Sequence, residues 1–236
     1  MSKRGTLYLL PVPVSDESGL RHIPAYSQEV VKGISSFIVE NEKTARRHLK
    51  LFGYADLQNA RMSVLDEHTK EGEAASMIKP LFEGIDMALM SEAGCPAVAD
   101  PGSAIVKLCH ASGIQVRALS GPSSVLMAVM TSGFGGQNFA FCGYLPVDRT
   151  QRTWRLRELE QTAVRTGQAQ FFIETPYRND QVVQAALTSL QASTRFYIGR
   201  NLGGDNEFVL SQTIAEWKAE GVPPLHKQPV IFGIFR

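Results

Sequence analysis

Two copies of one strand–turn–helix pattern, within residues 86–133, constrain the fold of this chain more than any other feature. The first copy reads DMALMSEAGCPAVADPGSAIVKLCHASG and the second IQVRALSGPSSVLMAVMTSG. In each copy an apolar run predicts a strand, a turn rich in small residues and proline follows, and a helix opened by proline ends at glycine. Strands that alternate with helices in this way predict an α/β fold with a mainly parallel sheet.

The two turns, named here the first elbow (residues 91–100) and the second elbow (residues 119–123), also indicate a ligand site. Small residues let a ligand approach the backbone closely, and the start of a helix favours an anionic group. In open α/β sheets, ligands bind at the carboxyl ends of the strands, where both elbows lie. Glycine and proline also serve as simple turn residues in many crossovers, so the pattern alone leaves both interpretations open.

The composition indicates a globular protein with a hydrophobic core, since 44% of residues are hydrophobic and 20% are charged. A net charge of +1 excludes a strong overall field for nucleic acid or membrane. Three scattered cysteines and five histidines without ligand spacing predict neither a disulfide framework nor a metal site. We find no membrane-spanning segment or signal peptide in the sequence, and we therefore expect a soluble, cytoplasmic protein without a membrane partner.

Strand and helix signals alternate up to about residue 136, and the sequence then becomes richer in strands. Within the first part, Asn41 is predicted to cap a helix that ends at Gly53. Within the second part, Pro176 predicts a helix over residues 176–190 with Thr175 as its cap. We predict two α/β lobes, residues 1–136 and 137–236, with a ligand-binding cleft between them.

Several segments resemble, in order and spacing, the tetrapyrrole methylase superfamily, which consists of S-adenosylmethionine (SAM)-dependent methyltransferases with two α/β lobes. These segments are GTLYLLPVPVSD, SEAGCPAVADPGSAIV, SGPSSVLMAVMTSGF, FAFCGYLP, FIETPYR and QPVIFGIF. Within the superfamily, the chain is most similar to the branch that methylates a ribose 2′-hydroxyl of small-subunit ribosomal RNA. Three segments carry this similarity. Residues 91–96 with 99–102 match the Ser-Asp-Ala-Gly-Thr-Pro…Ser-Asp-Pro-Gly segment of that branch. Residues 120–124 match its Pro-Gly-Pro-Ser-Ala segment, and residues 174–178 match its Glu-Ser-Pro-His-Arg segment.

The chain departs from that branch in three places. Residues 12–17 replace Thr-Pro-Ile-Gly-Asn-Leu without its Gly-Asn, and residues 39–43 replace Ala-Glu-Asp-Thr-Arg while keeping Glu40. The sequence also ends at the final strand, without the C-terminal extension that many members carry. These departures fall where the acceptor substrate is expected to touch more than where SAM is expected to touch.

The resemblance implies a SAM site formed largely by the main chain of both lobes. In the first lobe it implies contacts from Pro13, Glu92, Gly94, Cys95, Val98, Asp100, Ser123 and Ser124. In the second lobe it implies that the adenine is surrounded by Ile173, Thr175, Asn201, Pro229 and Val230. Asp100 and the two serines also suit simple helix capping, and Cys95 also suits the role of a small core residue.

Methyl transfer to a sugar hydroxyl needs a base to remove the proton, and Glu40 and Glu174 are the candidates that the resemblance supplies. Each could instead be a surface or ion-paired carboxylate, with Arg178 as the partner of Glu174. The candidate substrate-binding residues are Arg46, His68, Arg149, Arg152 and Arg178, to which Arg155 and Arg157 add positive charge. Basic clusters of this kind are more often a solvated face.

These observations predict a SAM-dependent methyltransferase that acts on ribosomal RNA, with the small ribosomal subunit as partner and a homodimer as the assembly. Two alternatives remain open: methylation of a small, tetrapyrrole-like molecule, and SAM binding without turnover. The near-neutral charge and missing extension favour a small molecule, whereas the absence of a GxGxGD-type first loop argues against it. The altered residues 12–17 and 39–43 motivate the second alternative.

Overall fold

The computed structural model describes residues 4–66 and 68–236. It divides into two compact units, Met1–Ser123 and Ser124–Arg236, and each unit has its own sheet and hydrophobic core. This architecture confirms the predicted α/β class with two lobes. None of the helices in the described ranges is long and apolar enough to cross a membrane.

The first unit is a five-stranded parallel sheet with the strand order β3-β2-β4-β1-β5. Its strands are β1 (Thr6–Leu9), β2 (Ser36–Val39), β3 (Arg61–Val64), β4 (Met87–Met90) and β5 (Gln115–Ala118). Its helices are α1 (Ala25–Lys32), α2 (Glu42–Leu51), α3 (Glu71–Met77), α4 (Lys79–Phe82) and α5 (Gly102–Ala111). A short 3₁₀ helix covers Asp16–Ser18.

Alternation along the central strands explains why helices cover both faces of this sheet. On β2, Phe37 and Val39 join a core with helices α1 and α2, whereas Ile38 joins a second core with α3, α4 and α5. Because successive strand residues point to opposite faces, a fully apolar strand needs a helix layer on each side. The parallel strands therefore all present their carboxyl ends at one edge, where the elbows follow β4 and β5.

Local sequence rules account well for α2. The side chain of Asn41 accepts a hydrogen bond from the backbone N–H of Thr44 at 3.0 Å, as the cap prediction requires. Glu42 lies in the first turn and Lys50 lies in the last turn, in agreement with the helix dipole. The helix ends at Leu51, two residues before Gly53.

The second unit contains a five-stranded mixed sheet with the strand order β6-β7-β10-β8-β9. Its elements are α6 (Ser124–Ser132), β6 (Phe139–Tyr144), α7 (Arg149–Thr166), β7 (Ala169–Ile173), α8 (Asn179–Ser189), β8 (Arg195–Arg200), β9 (Phe208–Thr213), α9 (Ile214–Glu220) and β10 (Val230–Phe235). Only the β6–β7 pair is parallel among these described strands. Phe172, Phe196 and Phe232 stack on one face of the sheet beneath α7, α8 and α9.

Two sequence-based boundaries differ from the structure. Helix α6 was assigned to the first lobe, but its Ala128 and Val129 pack with Phe171 and Tyr197 on the second sheet, so the second compact unit begins at Ser124. The predicted helix start at Pro176 is wrong, because α8 begins at Asn179. The carbonyl of Thr175 instead accepts a hydrogen bond from Arg178 N in the turn before the helix.

Candidate functional site

The first elbow is an irregular loop that connects β4 to α5 and lies against the segment after β1. Gly94, Ala97 and Ala99 adopt positive φ angles of 72°, 65° and 61°. The backbone N–H of Val12 donates to the carbonyl of Gly94 at 2.9 Å. This hydrogen bond holds the loop against the chain that leaves β1, so the carboxyl ends of two neighbouring strands form one surface.

Three successive carbonyl groups of the first elbow accept hydrogen bonds from the protein. His48 Nε2 lies 3.1 Å from the carbonyl of Glu92, and Ser91 Oγ donates to the carbonyls of Ala93 and Gly94 at 3.2 and 3.4 Å. In a trans peptide the N–H points away from the preceding carbonyl. The N–H groups of Ala93 and Cys95 therefore point away from the groups that hold the carbonyls of Glu92 and Gly94, whereas the antiparallel bridge between Val12 and Gly94 directs the Gly94 N–H to Val12.

Asp100 closes the first elbow. Both of its carboxylate oxygens lie 2.9 Å from the backbone N of Ala97, and Oδ1 also accepts from Gly102 N at 2.8 Å. Burial raises the pKa of this carboxyl group, and the two backbone hydrogen bonds oppose that shift. Asp100 thus shapes the loop and satisfies the start of α5, as the capping interpretation expects.

The second elbow packs closely on the first. Cys95 Sγ donates to the carbonyl of Pro122 at 3.3 Å, and burial raises the pKa of this thiol. A Cβ atom on Gly121 would lie 2.3 Å from Cβ of Pro11, so this position requires glycine. Cys95 is therefore a protonated packing residue. After the second elbow, Ser124 is the first residue of α6.

Glu40 follows β2 and reaches the first elbow. Its Oε1 accepts a hydrogen bond from the backbone N of Glu92 at 3.0 Å. Burial is the main cause that raises the pKa of Glu40, and the carboxylates of Asp100 and Glu92 raise it further. This half-buried carboxyl group therefore holds a proton more tightly than an exposed glutamate does.

Glu174 follows β7 in the second unit and has different surroundings. Its side chain is 0% exposed, and its Oε1 accepts hydrogen bonds from Arg178 and from the backbone N of Thr175. Glu174 Oε2 and Arg178 Nε are buried without a hydrogen-bond partner within the described ranges. The ion-paired interpretation of Glu174 therefore matches the geometry.

Four of the five predicted adenine-side residues lie at one end of the second sheet. Asn201, at φ 51°, donates its backbone N–H to the carbonyl of Pro229 at 2.9 Å. Val230 pairs with Arg200, and the next residue of β10 pairs with Ile173. Thr175 lies two residues beyond this pair, in the turn before α8.

The candidate substrate-binding residues are divided between the two units. Arg46 donates to the carbonyl of Leu57 at 2.7 Å, and His68 is exposed in the same unit. In the second unit, Arg152 is 4% exposed and donates to the carbonyl of Val147 at 2.9 Å, whereas Arg149 is exposed. Because helical residues are about 100° apart, the arginines at positions 149, 152, 155 and 157 of α7 cannot share one face.

Three residues at the first elbow were not singled out from the sequence: Thr44, His48 and Ser91. His48 lies between Ala45 and Leu49 on the buried face of α2, so a polar residue within an apolar helical stripe was the available signal. Ser91 gave no signal beyond its place directly after β4. Thr44 and His48 form hydrogen bonds with Glu92 of the first elbow. The pattern of a helix does not reveal contacts with a distant loop.

Comparison with known proteins decides the family. A model of the tetrapyrrole (corrin/porphyrin) methylases matches residues 25–218. The chain belongs to this family. This membership confirms the resemblance seen in the sequence and identifies the chain as a SAM-dependent methyltransferase.

Its relatives include proteins named ribosomal RNA small subunit methyltransferase I. The protein from Micromonospora olivasterospora is 30% identical over 231 residues, which cover 98% of this chain and 69% of that protein. The protein from Vibrio cholerae is 27% identical over 217 residues, with coverages of 91% and 72%. The protein from Escherichia coli O157:H7 is 30% identical over 159 residues, with coverages of 67% and 53%.

Solved structures support the fold. The methyltransferase CobJ superposes with a TM-score of 0.65 at 15% identity and covers 100% of this chain and 95% of its own. Uroporphyrin-III C-methyltransferase from Thermus thermophilus gives a TM-score of 0.57 at 16% identity, with coverages of 98% and 92%. At such low identity, these two structures are similar to this chain in fold alone.

Proposed function

We propose that this chain transfers a methyl group from SAM to a ribose 2′-hydroxyl of small-subunit ribosomal RNA. The names of its relatives support the RNA acceptor. The observation that carries the cofactor proposal is the first elbow, in which the carbonyls of residues 92–94 are all held by the protein. The N–H groups of Ala93 and Cys95 lie on the opposite side of these peptide groups, which is left to face a ligand at the carboxyl edge of the sheet.

Gly94 lets the first elbow pack closely against the segment after β1 and the second elbow. Its φ of 72° favours glycine, and a Cβ atom there would lie 3.4 Å from Val14 Cγ1 and 3.7 Å from the carbonyl of Pro122. A larger side chain would press on Val14 and Pro122 and displace the loop that carries the Ala93 and Cys95 N–H groups. We propose that the amino-acid and ribose parts of SAM contact Pro13, Glu92, Gly94, Cys95, Val98, Asp100, Ser123 and Ser124. We propose the adenine contacts Ile173, Thr175, Asn201, Pro229 and Val230.

Bound SAM supplies an electrophilic methyl group on a sulfonium. The chain must then orient the acceptor and remove its hydroxyl proton. We propose Glu40 as the base, because its Oε1 accepts the Glu92 N–H while Oε2 can take the proton. Its raised pKa makes it a stronger base than an exposed glutamate. Glu174 is less suited, because its carboxylate is fully buried and already bound to Arg178.

Exposure separates the arginines that can bind RNA phosphates from those that cannot. Arg149, Arg157 and Arg165 are exposed on α7, whereas Arg152 donates to Val147 and Arg155 pairs with Glu158. We propose that the exposed arginines contact RNA, together with His68 in the first unit. Three further candidates bind protein groups and have a structural role. Arg46 binds the carbonyl of Leu57, Arg152 binds the carbonyl of Val147, and Arg178 binds Glu174.

Labelled SAM tests the proposal directly. The protein is incubated with labelled SAM and an extract of cells that lack its gene, and RNA, protein and small molecules are separated. We expect label in small-subunit ribosomal RNA, at a nucleotide that resists alkaline cleavage because its 2′-hydroxyl is methylated. Label in small molecules would instead support the tetrapyrrole-like alternative, and binding of SAM without transfer would support a module without turnover.

The salt dependence of RNA binding tests the acceptor surface. Each phosphate contact to single-stranded RNA contributes a slope of about −0.7 to the plot of log affinity against log salt concentration. Replacing Arg149 and Arg157 with glutamine should make this slope less negative by about 1.4. Sedimentation of the protein without RNA gives its molecular mass and tests the predicted homodimer.

A further inference from the structure

One residue of the first elbow, Glu92, is held by three side chains from the segment that covers β2 and α2. Glu40 Oε1 accepts the Glu92 N–H at 3.0 Å, and His48 Nε2 contacts the Glu92 carbonyl at 3.1 Å. Thr44 Oγ1 donates to Glu92 Oε1 at 3.4 Å. These three residues, named here the Glu92 clamp, fix the backbone of Glu92 on both sides and also its side chain.

The clamp requires a defined state of His48. A carbonyl oxygen only accepts hydrogen bonds, so the Nε2 atom of His48 must carry a hydrogen. The side chain is 2% exposed, and burial is the main cause that lowers its pKa, so the ring is neutral near pH 7. Nδ1 is buried without a hydrogen-bond partner within the described part of the chain. The Glu92 carbonyl is therefore the partner that fixes the ring.

The packing of α2 makes His48 a rigid support. Ala45, His48 and Leu49 form the buried face of this helix, and Ala45 and Leu49 belong to the core that includes Phe37. The start of the helix is held by the Asn41 cap. A side chain on such a helix has little freedom to follow a moving loop, so it fixes the loop that it contacts.

We propose that His48 is a positioning residue for the methyl donor. By holding the Glu92 carbonyl, it sets the plane of the peptide group between Glu92 and Ala93, and the Ala93 N–H points to the opposite side. That N–H then faces the cofactor in a fixed geometry, and the bridge between Val12 and Gly94 holds the next residue of the loop. This inference rests on the proposed function, because it assigns the first elbow to SAM.

The test compares binding of S-adenosylhomocysteine, the demethylated product of SAM, to the full chain and its variants by calorimetry. In His48→Leu the Glu92 carbonyl loses its donor, and we expect Kd to rise about tenfold. In His48→Gln the side-chain amide can donate from a position close to that of Nε2, and we expect most of the affinity to return. Thr44→Val, at a half-exposed position, should raise Kd about two- to threefold.

Tyr54→Phe is the matched control. Tyr54 Oη donates to the carbonyl of Ile34 at 2.7 Å, so this variant also removes a side-chain bond to a backbone carbonyl in the same core. We expect both His48→Leu and Tyr54→Phe to lower the melting temperature, but only His48→Leu to raise Kd.

Equal Kd values for His48→Leu and Tyr54→Phe, or a His48→Gln variant as weak as His48→Leu, would overturn the role of His48 while leaving the proposed function intact. If His48→Leu does not fold, Thr44→Val and His48→Gln test the role of His48 instead. An unchanged Kd in Thr44→Val together with a raised Kd in His48→Gln would then overturn that role. Failure of the unmodified chain to bind the compound would remove both the proposed function and this inference.

Discussion

Glu40 and Glu174 occupy similar places, since each directly follows a strand of its own unit, and each is a candidate base. Glu40 is half-buried, accepts one backbone hydrogen bond, and is influenced by the carboxylates of Asp100 and Glu92. Glu174 is fully buried and binds Arg178 and the backbone of Thr175. The same residue type at the end of a strand thus has a raised proton affinity in one unit and a cationic partner in the other.

The difference shows how the surroundings divide two tasks between like residues. A carboxylate that is partly desolvated near other carboxylates favours uptake of a proton, as a general base must do. A carboxylate bound to a guanidinium and a backbone N–H has its oxygen occupied by these donors and fixes the turn that contains it. Substitutions at the two sites should therefore separate catalysis from stability.

The largest expected effect is on catalysis by Glu40→Gln. The amide can still accept the Glu92 N–H but cannot take a proton, so turnover on the identified acceptor should fall about 10²–10⁴-fold. The affinity for S-adenosylhomocysteine should remain near that of the unmodified chain. Unchanged turnover in this variant would remove the distinction between the two glutamates.

Gly94→Val should reduce binding of S-adenosylhomocysteine at least about 100-fold, because the side chain would press on Val14 and the Pro122 carbonyl and displace the first elbow. Gly53→Val is the matched control, since Gly53 has a similar φ of 70° and no atom within 4 Å of an added Cβ atom. The control carries the same backbone strain, of roughly 1–2 kcal/mol, and should retain binding. Calorimetric Kd values for both variants separate displacement of the first elbow from the effect of backbone strain alone.

Glu174→Gln should lower the free energy of unfolding by about 2–3 kcal/mol, because it leaves the Arg178 guanidinium without its buried counter-charge. The rate per folded molecule should change little. Glu158→Gln removes the more exposed ion pair with Arg155 and should cost less than about 1 kcal/mol. Urea unfolding measures both values, and a large loss of turnover in folded Glu174→Gln would reverse the assignment of the base.

The smallest effect concerns pH. Because the pKa of Glu40 is raised on folding, its contribution to stability is fully present below the unfolded value of 4.5 and is lost as the pH rises through the folded pKa. The melting temperature of the unmodified chain should therefore fall relative to that of Glu40→Gln as the pH is raised from 4 to 7. A difference between the two that does not change with pH would contradict the raised pKa.

The sequence predicted the fold and the two elbows well because both follow from local rules. The alternation on β2, the Asn41 cap of α2 and the glycine at position 94 all express preferences that act within a few residues. The helix start at Pro176 failed because Thr175 and Arg178 form a turn before α8. The boundary of α6 differs because its packing partners lie on the second sheet.

The sequence by itself determined the α/β class, the family and the glycine-containing loop at the end of β4. The tertiary structure decided which arginines are exposed, that Glu174 is bound to Arg178, and that His48 supports the first elbow. His48 and Glu92 are 44 residues apart in sequence, and Glu40 and Glu92 are 52 apart. Burial and pairing over such separations depend on how the strands are ordered in the sheet, and local sequence preferences carry no information about that order.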